Sequence, residues 1–487
     1  MNRLVPENTE LKWFYGIMFC FIATGLFLLV KEAYWIALLP LVALVVYLSI
    51  FSLDTILLII AFFTPIAIVV NDKASDPALS IPGEPLMFGI LLIFIFKFFF
   101  EGGFDRKISY HPVTLAIGFH LAWMFITSLT STLPLVSLKH FVSQLWFIVP
   151  FYFLGTQLFR KLKNIKRFIW LYAGTLLIVV CYTIFRHAEN NWTQKAAHWV
   201  MYPFYNDHTA YAAVLALFIP PMIAFSRDRY TSIRERYMAI FMACILVTAI
   251  ILSYTRAAWL SLIVSFLVYL VYFFKIKFYN VLIILVTLVT AFLLFRTDIF
   301  IKLENNRQDS ATDFNKHVRS ISNISTDASN LERINRWNSA LRMWEQKPFW
   351  GWGPGTYQFN YASFQKSNEM TIISTNAGNM GNAHSEYIGP LSEEGIFGML
   401  AVVLIVITLI YRSTILYSTC RDPKIRMLTM GILMGLMTYF VHGTLNNFLD
   451  TDKLSVPFWA FIAMLVSLDV YHNENPKTKA DSLPSKS

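Results

Sequence analysis

Residues 382–411 read NAHSEYIGPLSEEGIFGMLAVVLIVITLIY. The first residues are polar, and from Ile388 onward the segment becomes an apolar run. As a helix, such a run is long enough to cross the ~30 Å hydrocarbon core of a bilayer. A change from polar to apolar within a few residues is typical of a loop that enters a membrane. The segment therefore predicts a helical membrane protein with His384 close to the water–lipid boundary.

The composition of the whole chain agrees with this interpretation. Of its 487 residues, 56% are hydrophobic and only 14% are charged, and the mean hydropathy is +0.52. These values are typical of a polytopic membrane protein and exclude a soluble domain. The net charge of +10 would also suit nucleic-acid binding. However, Lys and Arg cluster in short loops between apolar runs, as in membrane proteins, so we expect no nucleic-acid partner.

Apolar runs of membrane-spanning length recur along the chain, and we predict an all-α fold with about fourteen transmembrane helices. The predicted spans are 13–30, 33–51, 55–70, 85–100, 113–130, 137–158, 168–185, 209–225, 237–253, 257–274, 279–295, 392–411, 427–442 and 454–470. Four regions follow from these spans. They are N-terminal transmembrane helices 1–11 (1–295), a large external loop (296–383), transmembrane helices 12–14 (384–470) and a disordered polar tail (471–487).

The distribution of Lys and Arg predicts the orientation in the membrane. Clusters of these residues lie at 160–167, 227–236, 275–277 and 412–426. Cytoplasmic loops carry such clusters in membrane proteins. We therefore expect both termini in the cytoplasm and the long loop on the opposite side of the membrane.

The second half of the long loop has a helical pattern. Apolar residues recur at helical spacing within 331–346, and Ser329 or Asn330 is a candidate N-cap. Arg333 and Arg336 are three residues apart, so they share one face of this helix. The loop thus brings two guanidinium groups toward the membrane surface near His384.

These residue types suit the transfer of a sugar from a lipid diphosphate. The leaving diphosphate gains negative charge, and arginine pairs with phosphate oxygens and stays charged. The acceptor alcohol must lose a proton, and a histidine is a suitable general base near neutral pH. Arg256 lies at the junction of two predicted spans, where an arginine usually has a polar partner or a water-filled cavity. Together with Arg333 and His384, it meets these needs on one side of the membrane.

Each of these residues also has a purely structural interpretation. His384 could be a solvated loop histidine, Arg333 and Arg336 could pair with nearby glutamates, and Arg256 could be an interfacial anchor. Gly351–Gly355 could bind phosphate through its amides, or it could be a tight turn.

The short acidic motif Asp450-Thr451-Asp452 is a weak candidate for a cation site. A capped loop start explains it better. We therefore predict neither a metal nor another cofactor.

Several motifs occur in a definite order within residues 170–450. They are Pro203–Ala210, Thr255–Ala258, Arg333, Trp337, Ala340–Leu341, Pro348, Gly351–Gly355, Asn382–Tyr387 and Glu394–Gly398. Together they resemble the O-antigen ligase family, which also covers related O-antigen and exopolysaccharide polymerases. The chain departs from the family in Thr255–Ala258, where Thr replaces Ser and Ala replaces Gly.

The resemblance implies a metal-independent, inverting membrane glycosyltransferase. Its donor is a glycan linked to undecaprenyl diphosphate, and its acceptor is a glycan or glycolipid, lipid A-core being one candidate. It works among the membrane lipids of the bacterial inner membrane, with its active site on the periplasmic face.

The resemblance also implies roles for individual residues. His384 matches the general base, and Arg256 and Arg333 match the arginines that bind the diphosphate. We add Arg336 as a substrate-binding residue because of its position on the loop helix. Three further residues in the motifs are expected to bind substrate: Tyr387, Asn382 and His208.

Two alternatives remain open. The first is an O-antigen or exopolysaccharide polymerase of the same family, which shares the donor chemistry but holds a different acceptor. The second, from another class, is a flippase or transporter for lipid-linked oligosaccharides. A flippase would move its substrate across the membrane without forming a glycosidic bond.

Overall fold

The computed structural model describes residues 51–70, 79–101, 105–229, 231–277, 328–371, 374 and 381–473, with single positions within 15–48 and 279–294. The chain divides into two units, residues 1–57 and 58–487. The first unit contains the start of the first described helix, and the second contains everything discussed below. Apart from single positions, the predicted spans 13–30, 33–51 and 279–295 lie outside the described residues.

The described residues are mostly helical. The helices are α1 (Leu53–Phe63), α2 (Gly83–Glu101), α3 (Arg106–Ser109), α4 (Pro112–Leu129), α5 (Pro134–Leu158), α6 (Leu162–Glu189), α7 (Gln194–Ala197), α8 (His208–Ser226), α9 (Ile233–Leu252), α10 (Arg256–Phe273), α11 (Ala328–Gln346), α12 (Tyr357–Asn360), α13 (Ile388–Thr419), α14 (Pro423–His442) and α15 (Asp452–Tyr471). The strands β1 (Ile68–Val70) and β2 (Leu79–Ile81) pair antiparallel, with Ile68 opposite Ile81.

Nine helices within the described residues are long and apolar enough to cross a membrane. They are α4, α5, α6, α8, α9, α10, α13, α14 and α15. Each of them coincides, apart from a few residues at its ends, with a span predicted between 113 and 274 or between 392 and 470. The chain is therefore a multi-pass membrane protein.

Two details of the prediction differ from the structure. The total of fourteen spans is not confirmed, because the predicted spans 55–70 and 85–100 fall on shorter apolar helices of the described chain, α1 with its 3-10 turn and the start of α2. The first of these helices ends before β1, and Pro65 weakens it there because proline has no N–H to donate within a helix. The predicted cap of the loop helix was wrong, because α11 begins at Ala328 and includes both Ser329 and Asn330.

The centre of the second unit is formed by α8, α14 and α15. Almost every residue of α15 from Asp452 to Asp469 is buried, and most of α8 and α14 is buried as well. Helices that are apolar all round are expected in such central positions. By contrast, α9, α10 and α13 expose large apolar side chains such as Phe241, Phe266 and Ile407. These side chains suit a face that contacts lipid tails.

Close contacts between α8 and α14 show that the two helices are antiparallel. Gly431 faces Ala224, and a Cβ atom on Gly435 would lie 2.5 Å from the carbonyl oxygen of Leu217. The start of α8 therefore lies beside the end of α14.

Two hydrogen bonds show that the starts of two further helices also lie beside the end of α14. The main-chain N–H of Glu386 donates to the carbonyl of Gly443 at 2.8 Å, which puts the start of α13 here. The hydroxyl of Thr255 lies 3.5 Å from the carbonyl of His208, which adds the start of α10. We call the end of the bundle that holds these four residues the site end.

The opposite end of the bundle holds the clusters of Lys and Arg. Lys166, in the first turns of α6, pairs with Asp228 just after α8 at 2.9 Å. The Nε atom of Arg236, near the start of α9, donates to the carbonyl of Ser226 at 3.2 Å. The site end and the most cationic end are thus separated by the length of the helices.

Candidate active site

The loop helix α11 is attached to the site end by a small hydrophobic cluster. The cluster consists of Ala340, Met343, Tyr357, Tyr361 and Ala383, all of which are buried. Trp352, Phe364 and Ile388 pack against it. The cluster connects α11, the segment around α12 and the residues just before α13. The segments that carry Arg333, Arg336 and His384 are therefore packed together.

The glycine-rich turn 351–355 binds a carboxylate of α13. The N–H groups of Gly355 and Tyr357 donate to the two oxygens of the Glu393 carboxylate at 3.0 and 2.7 Å. Gly353 has a φ of 109°, and a Cβ atom there would lie 1.9 Å from the hydroxyl oxygen of Ser131. Only glycine fits such a position. The described contacts agree with a tight turn and leave these amides already bonded to Glu393.

A break in α13 defines the segment that carries the candidate residues. Gly395 has φ 72° and ψ −167°, values outside the helical region. The N–H of the next residue, Ile396, donates to the carbonyl of Pro348 at 2.9 Å rather than within the helix. Residues 382–394 therefore form a distinct piece of chain at the site end, which we call the motif segment.

Arg336 fixes the beginning of the motif segment. Its guanidinium is buried, and its Nε donates to the carboxylate of Glu332 at 2.8 Å. Its Nη1 donates to the carbonyl of Asn382 at 3.1 Å, and the group lies 5.3 Å from the ring centre of Tyr361. Burial opposes the charge of Glu332, but hydrogen bonds from Ser374, Arg336 and Thr371 together lower the pKa of this carboxyl. This geometry gives Arg336 a positioning role, and its binding of substrate stays a prediction.

Arg333 lies one turn earlier on the same face and contacts the end of α14. Its Nε donates to the carbonyl of Leu445 at 3.1 Å, and its Nη2 lies 3.4 Å from the side-chain oxygen of Asn446. Asn446 in turn lies 3.2 Å from the ring of His442. The guanidinium is half-buried, so a ligand at the site end can reach it.

His384 lies between these arginines and the start of α8. Its main-chain N–H donates to the side-chain oxygen of Asn382 at 3.2 Å, and its φ is 48°. A positive φ is uncommon outside glycine and often marks a functional position. Burial, followed by the charges of Arg336 and Arg333, lowers the pKa of His384 to about 4, and Asp207 acts in the opposite direction. The imidazole is therefore neutral at pH 7.

His208 and Arg256 lie at the same end of the bundle. His208 is the first residue of α8, and its Nδ1 is 3.3 Å from the carboxylate of Asp207, which caps that helix. Its ring stacks on that of His198 with 4.2 Å between ring centres. Burial raises the pKa of Asp207, but hydrogen bonds from His208 and Thr209 outweigh burial and lower the pKa to about 2. Arg256, half-buried, begins α10 directly after Thr255.

The predicted residues fall into two groups. His384, Arg336 and Asn382 are linked by hydrogen bonds, the charge of Arg333 acts on His384, and His208 and Arg256 share the site end with them. Tyr387 is oriented differently, because its hydroxyl donates to the carbonyl of Phe440 at 3.0 Å.

Residues 240–403 match the family model described as O-antigen ligase. This segment is similar to the O-antigen ligase domain. It begins in α9, includes Arg256, α11 and His384, and ends just after the break at Gly395. The resemblance inferred from the motifs is thereby confirmed, and the segment is similar to ligase- and polymerase-type membrane glycosyltransferases. No curated protein matches the chain.

The sequence analysis missed residues that support the candidate site. Asn446 contacts both Arg333 and His442. The carboxylate of Asp207 interacts electrostatically with both His442 and His384. A histidine followed by glycine at the end of a predicted span was a weak signal for a helix end of this kind. The importance of Glu386 was missed as well, because its partners lie more than fifty residues away in the chain.

The two carboxylates of Asp450-Thr451-Asp452 have different partners. Asp450 accepts a hydrogen bond from the side chain of Gln144 at 3.1 Å. Asp452 accepts one from the hydroxyl of Ser80 at 2.7 Å. In the described ranges, no three His, Cys, Asp or Glu side chains are grouped so that they could hold a metal ion.

Proposed function

We propose that this protein is a glycosyltransferase of the O-antigen ligase type. It transfers a glycan from an undecaprenyl-diphosphate donor to a hydroxyl group of a sugar acceptor, with inversion and without a metal. One observation carries the proposal. His384 lies at the end of a membrane-spanning bundle, and Asn382 links it to Arg336 on the helix that also carries Arg333.

The arginines suit the departing diphosphate. Negative charge develops on the oxygen that leaves the anomeric carbon, and fixed positive groups nearby stabilise it. Arg333 is half-buried beside the end of α14 and is the main candidate for this contact. Arg256, at the start of α10, is positioned to bind the same diphosphate where the lipid lies in the bilayer.

The imidazole suits the acceptor. As the hydroxyl oxygen attacks the anomeric carbon, its proton passes to the ring of His384. At the same time the bond between the anomeric carbon and the diphosphate oxygen breaks, and its electron pair leaves with the diphosphate. A single displacement of this kind inverts the anomeric centre. The imidazolium then returns its proton to water.

The low pKa of His384 makes the order of binding important. A pKa of about 4 gives a weak base, and burial and the charges of the two arginines cause it. A bound diphosphate would offset those positive charges and raise the pKa toward neutrality. A base works best when its pKa is near the working pH. The donor would therefore activate His384 as it binds.

The charge distribution supports a periplasmic site in the bacterial inner membrane. The clusters of Lys and Arg at 160–167 and 227–236 lie at the end opposite to the site end. Cytoplasmic loops carry such clusters. This orientation leaves both termini in the cytoplasm and the acceptor on the periplasmic side.

The direct test is transfer by purified protein in liposomes that contain the lipid-linked donor. We expect His384→Ala to lower the rate by roughly 10²–10⁴-fold, the usual contribution of a general base. His472→Ala, at the opposite end of the bundle, is the matched control and should keep the wild-type rate. A purified His384→Ala protein with full activity would remove the base from the mechanism. Movement of donor across the bilayer without a new glycosidic bond would indicate a flippase.

Glycan analysis of a deletion strain distinguishes ligase from polymerase. If the protein is a ligase, lipid-linked polymer accumulates without being attached to its acceptor. If it is a polymerase, the strain contains single repeat units instead. The description of the matched domain leads us to expect the first result.

A further inference from the structure

A cavity of about 110 Å³ lies beside the motif segment and is enclosed by α4, α5, α13, α14, α15 and the loop 447–450. Ser385, Glu386 and Tyr387 line it, whereas His384 does not. A water molecule needs roughly 10–15 Å³ of such volume. The cavity therefore has room for several waters or one small ring, and it is too small for a chain of sugars.

The charges around this cavity differ from those around His384. No Lys or Arg is among the described residues that line it, whereas four carboxyl groups are. They belong to Glu386, Glu393, Glu394 and Asp450. A phosphate or diphosphate would find no cation among these described residues, so the cavity does not suit the anionic part of the donor.

Four lining residues have buried polar atoms with no hydrogen-bond partner in the described part of the chain. The atoms are Glu394 Oε2, His120 Nδ1, Asn447 Oδ1 and Trp459 Nε1. Glu394 is 2% exposed, Trp459 3% and His120 7%, so bulk solvent does not reach these side chains freely. Leaving such atoms unpaired costs roughly 1–3 kcal/mol each. The indole N–H can only donate and the amide oxygen can only accept, so a matching ligand must do both.

The rest of the wall is aromatic and aliphatic. Phe458 packs against Tyr439 and Phe440, with ring centres 5.4 and 6.0 Å apart, and all three line the cavity. A lipid tail would leave the four polar atoms unpaired. A hard cation needs several converging oxygens, and the described residues offer no such group. A sugar ring has an apolar face and hydroxyl groups that donate and accept, and it satisfies both parts of the wall.

We propose that this cavity is a subsite for one uncharged sugar ring. Its hydroxyl groups would bond to Glu394, His120, Asn447 and Trp459, and its apolar face would lie on the aromatic wall. The assignment of this ring to the acceptor glycan rests on the proposed function. The cavity would then hold one sugar of the acceptor glycan, while the acceptor sugar whose hydroxyl reacts lies with the donor at His384.

Saturation-transfer NMR on the full-length protein in detergent tests this subsite without any transfer reaction. The probes are methyl glycosides of common hexoses and N-acetylhexosamines. We expect at least one to bind, and we expect Glu394→Gln and Trp459→Phe each to weaken binding at least tenfold. Glu189→Gln is the matched control, because Glu189 is exposed and does not line the cavity. The thermal unfolding midpoint of each variant shows whether it is folded, and Asn447→Leu replaces any variant that is not.

Three results would overturn the subsite: no binding of any glycoside, equal binding by the cavity variants and Glu189→Gln, or displacement of the glycoside by methyl diphosphate. The test is independent of the proposed function. Absent glycoside binding together with an inactive His384→Ala would remove the subsite and keep the transferase. Glycoside binding that depends on Glu394, together with a fully active His384→Ala, would keep the subsite and remove the mechanism proposed for the transferase.

Discussion

The two sides of the motif segment 382–394 have opposite chemistry. On one side His384 faces the guanidinium groups of Arg333 and Arg336, and its pKa is lowered. On the other side Glu386 is buried in the wall of the cavity, and burial together with the charge of Asp450 raises its pKa to about 7. Only Ser385 lies between these two residues in the sequence. A short segment can thus hold a base and an acid in separate environments, one suited to an anion and the other to a neutral ligand.

The largest expected effect concerns the donor side. Arg333→Gln removes a fixed positive charge from the proposed diphosphate site, and we expect transfer to fall roughly 10²–10³-fold, as for other groups that stabilise a leaving anion. The matched control is Arg342→Gln on the same helix, since Arg342 pairs with Glu369 and not with the motif segment. Steady-state rates over a range of donor concentrations measure the effect. If Arg333→Gln keeps wild-type donor affinity and turnover, Arg333 does not bind the diphosphate.

A smaller effect distinguishes positioning by Arg336 from direct binding. The acid limb of kcat/KM reports the pKa of the free enzyme, and for the wild type it should lie near pH 4. Arg336→Gln removes one of the charges that lower the pKa of His384. The limb should then move toward the ordinary value of 6.5, and the loss of rate should grow as the pH falls. An unchanged limb in a variant with reduced activity would show that Arg336 does not act through His384.

The stability of the donor side should decrease in acid. His384 has a lower pKa in the folded state than in the unfolded state, where it is near 6.5. The unfolded state therefore binds more protons between these values, and the contribution to stability is lost as the pH falls from 6.5 to 4. We expect the advantage of the wild type over His384→Asn to shrink by about 2–3 kcal/mol over this range. Chemical denaturation at pH 7 and 4.5 measures it, and a constant difference would contradict the lowered pKa.

The acidic side should show the opposite sign and an effect of similar size. The pKa of Glu386 is raised from 4.5 to about 7 in the folded state, so its contribution is complete below pH 4.5 and is lost as the pH rises through 7. Glu386→Gln mimics the neutral form and should gain about 2–3 kcal/mol on the wild type between pH 4.5 and 8. The N–H groups of Phe448 and Leu449 stabilise the carboxylate, and without them its pKa would be raised further. Parallel pH profiles for Glu386→Gln and His384→Asn would mean that the two sides do not differ in this way.

Much of the membrane fold could be predicted from local sequence. The nine candidate spans among the described residues coincide with predicted apolar runs, because a helix in lipid is recognised by the hydropathy of consecutive residues. The predicted span 55–70 is not confirmed as one continuous helix, because the chain leaves helical geometry after Ile66 and forms β1 from Ile68. The shared face of Arg333 and Arg336 was predictable for the same local reason, since helix geometry relates residues three apart.

The sequence alone determined the membrane class, the position of His384 beside a span and the presence of two arginines on one loop helix, because all three depend on neighbouring residues. Tertiary structure decided that Arg336 donates a hydrogen bond to Asn382 and that Glu393 accepts one from the glycine-rich turn. It also decided that Tyr387 lines a separate cavity. These contacts join residues tens of positions apart. Their geometry depends on how the helices pack, and no local pattern of hydropathy or charge records that packing.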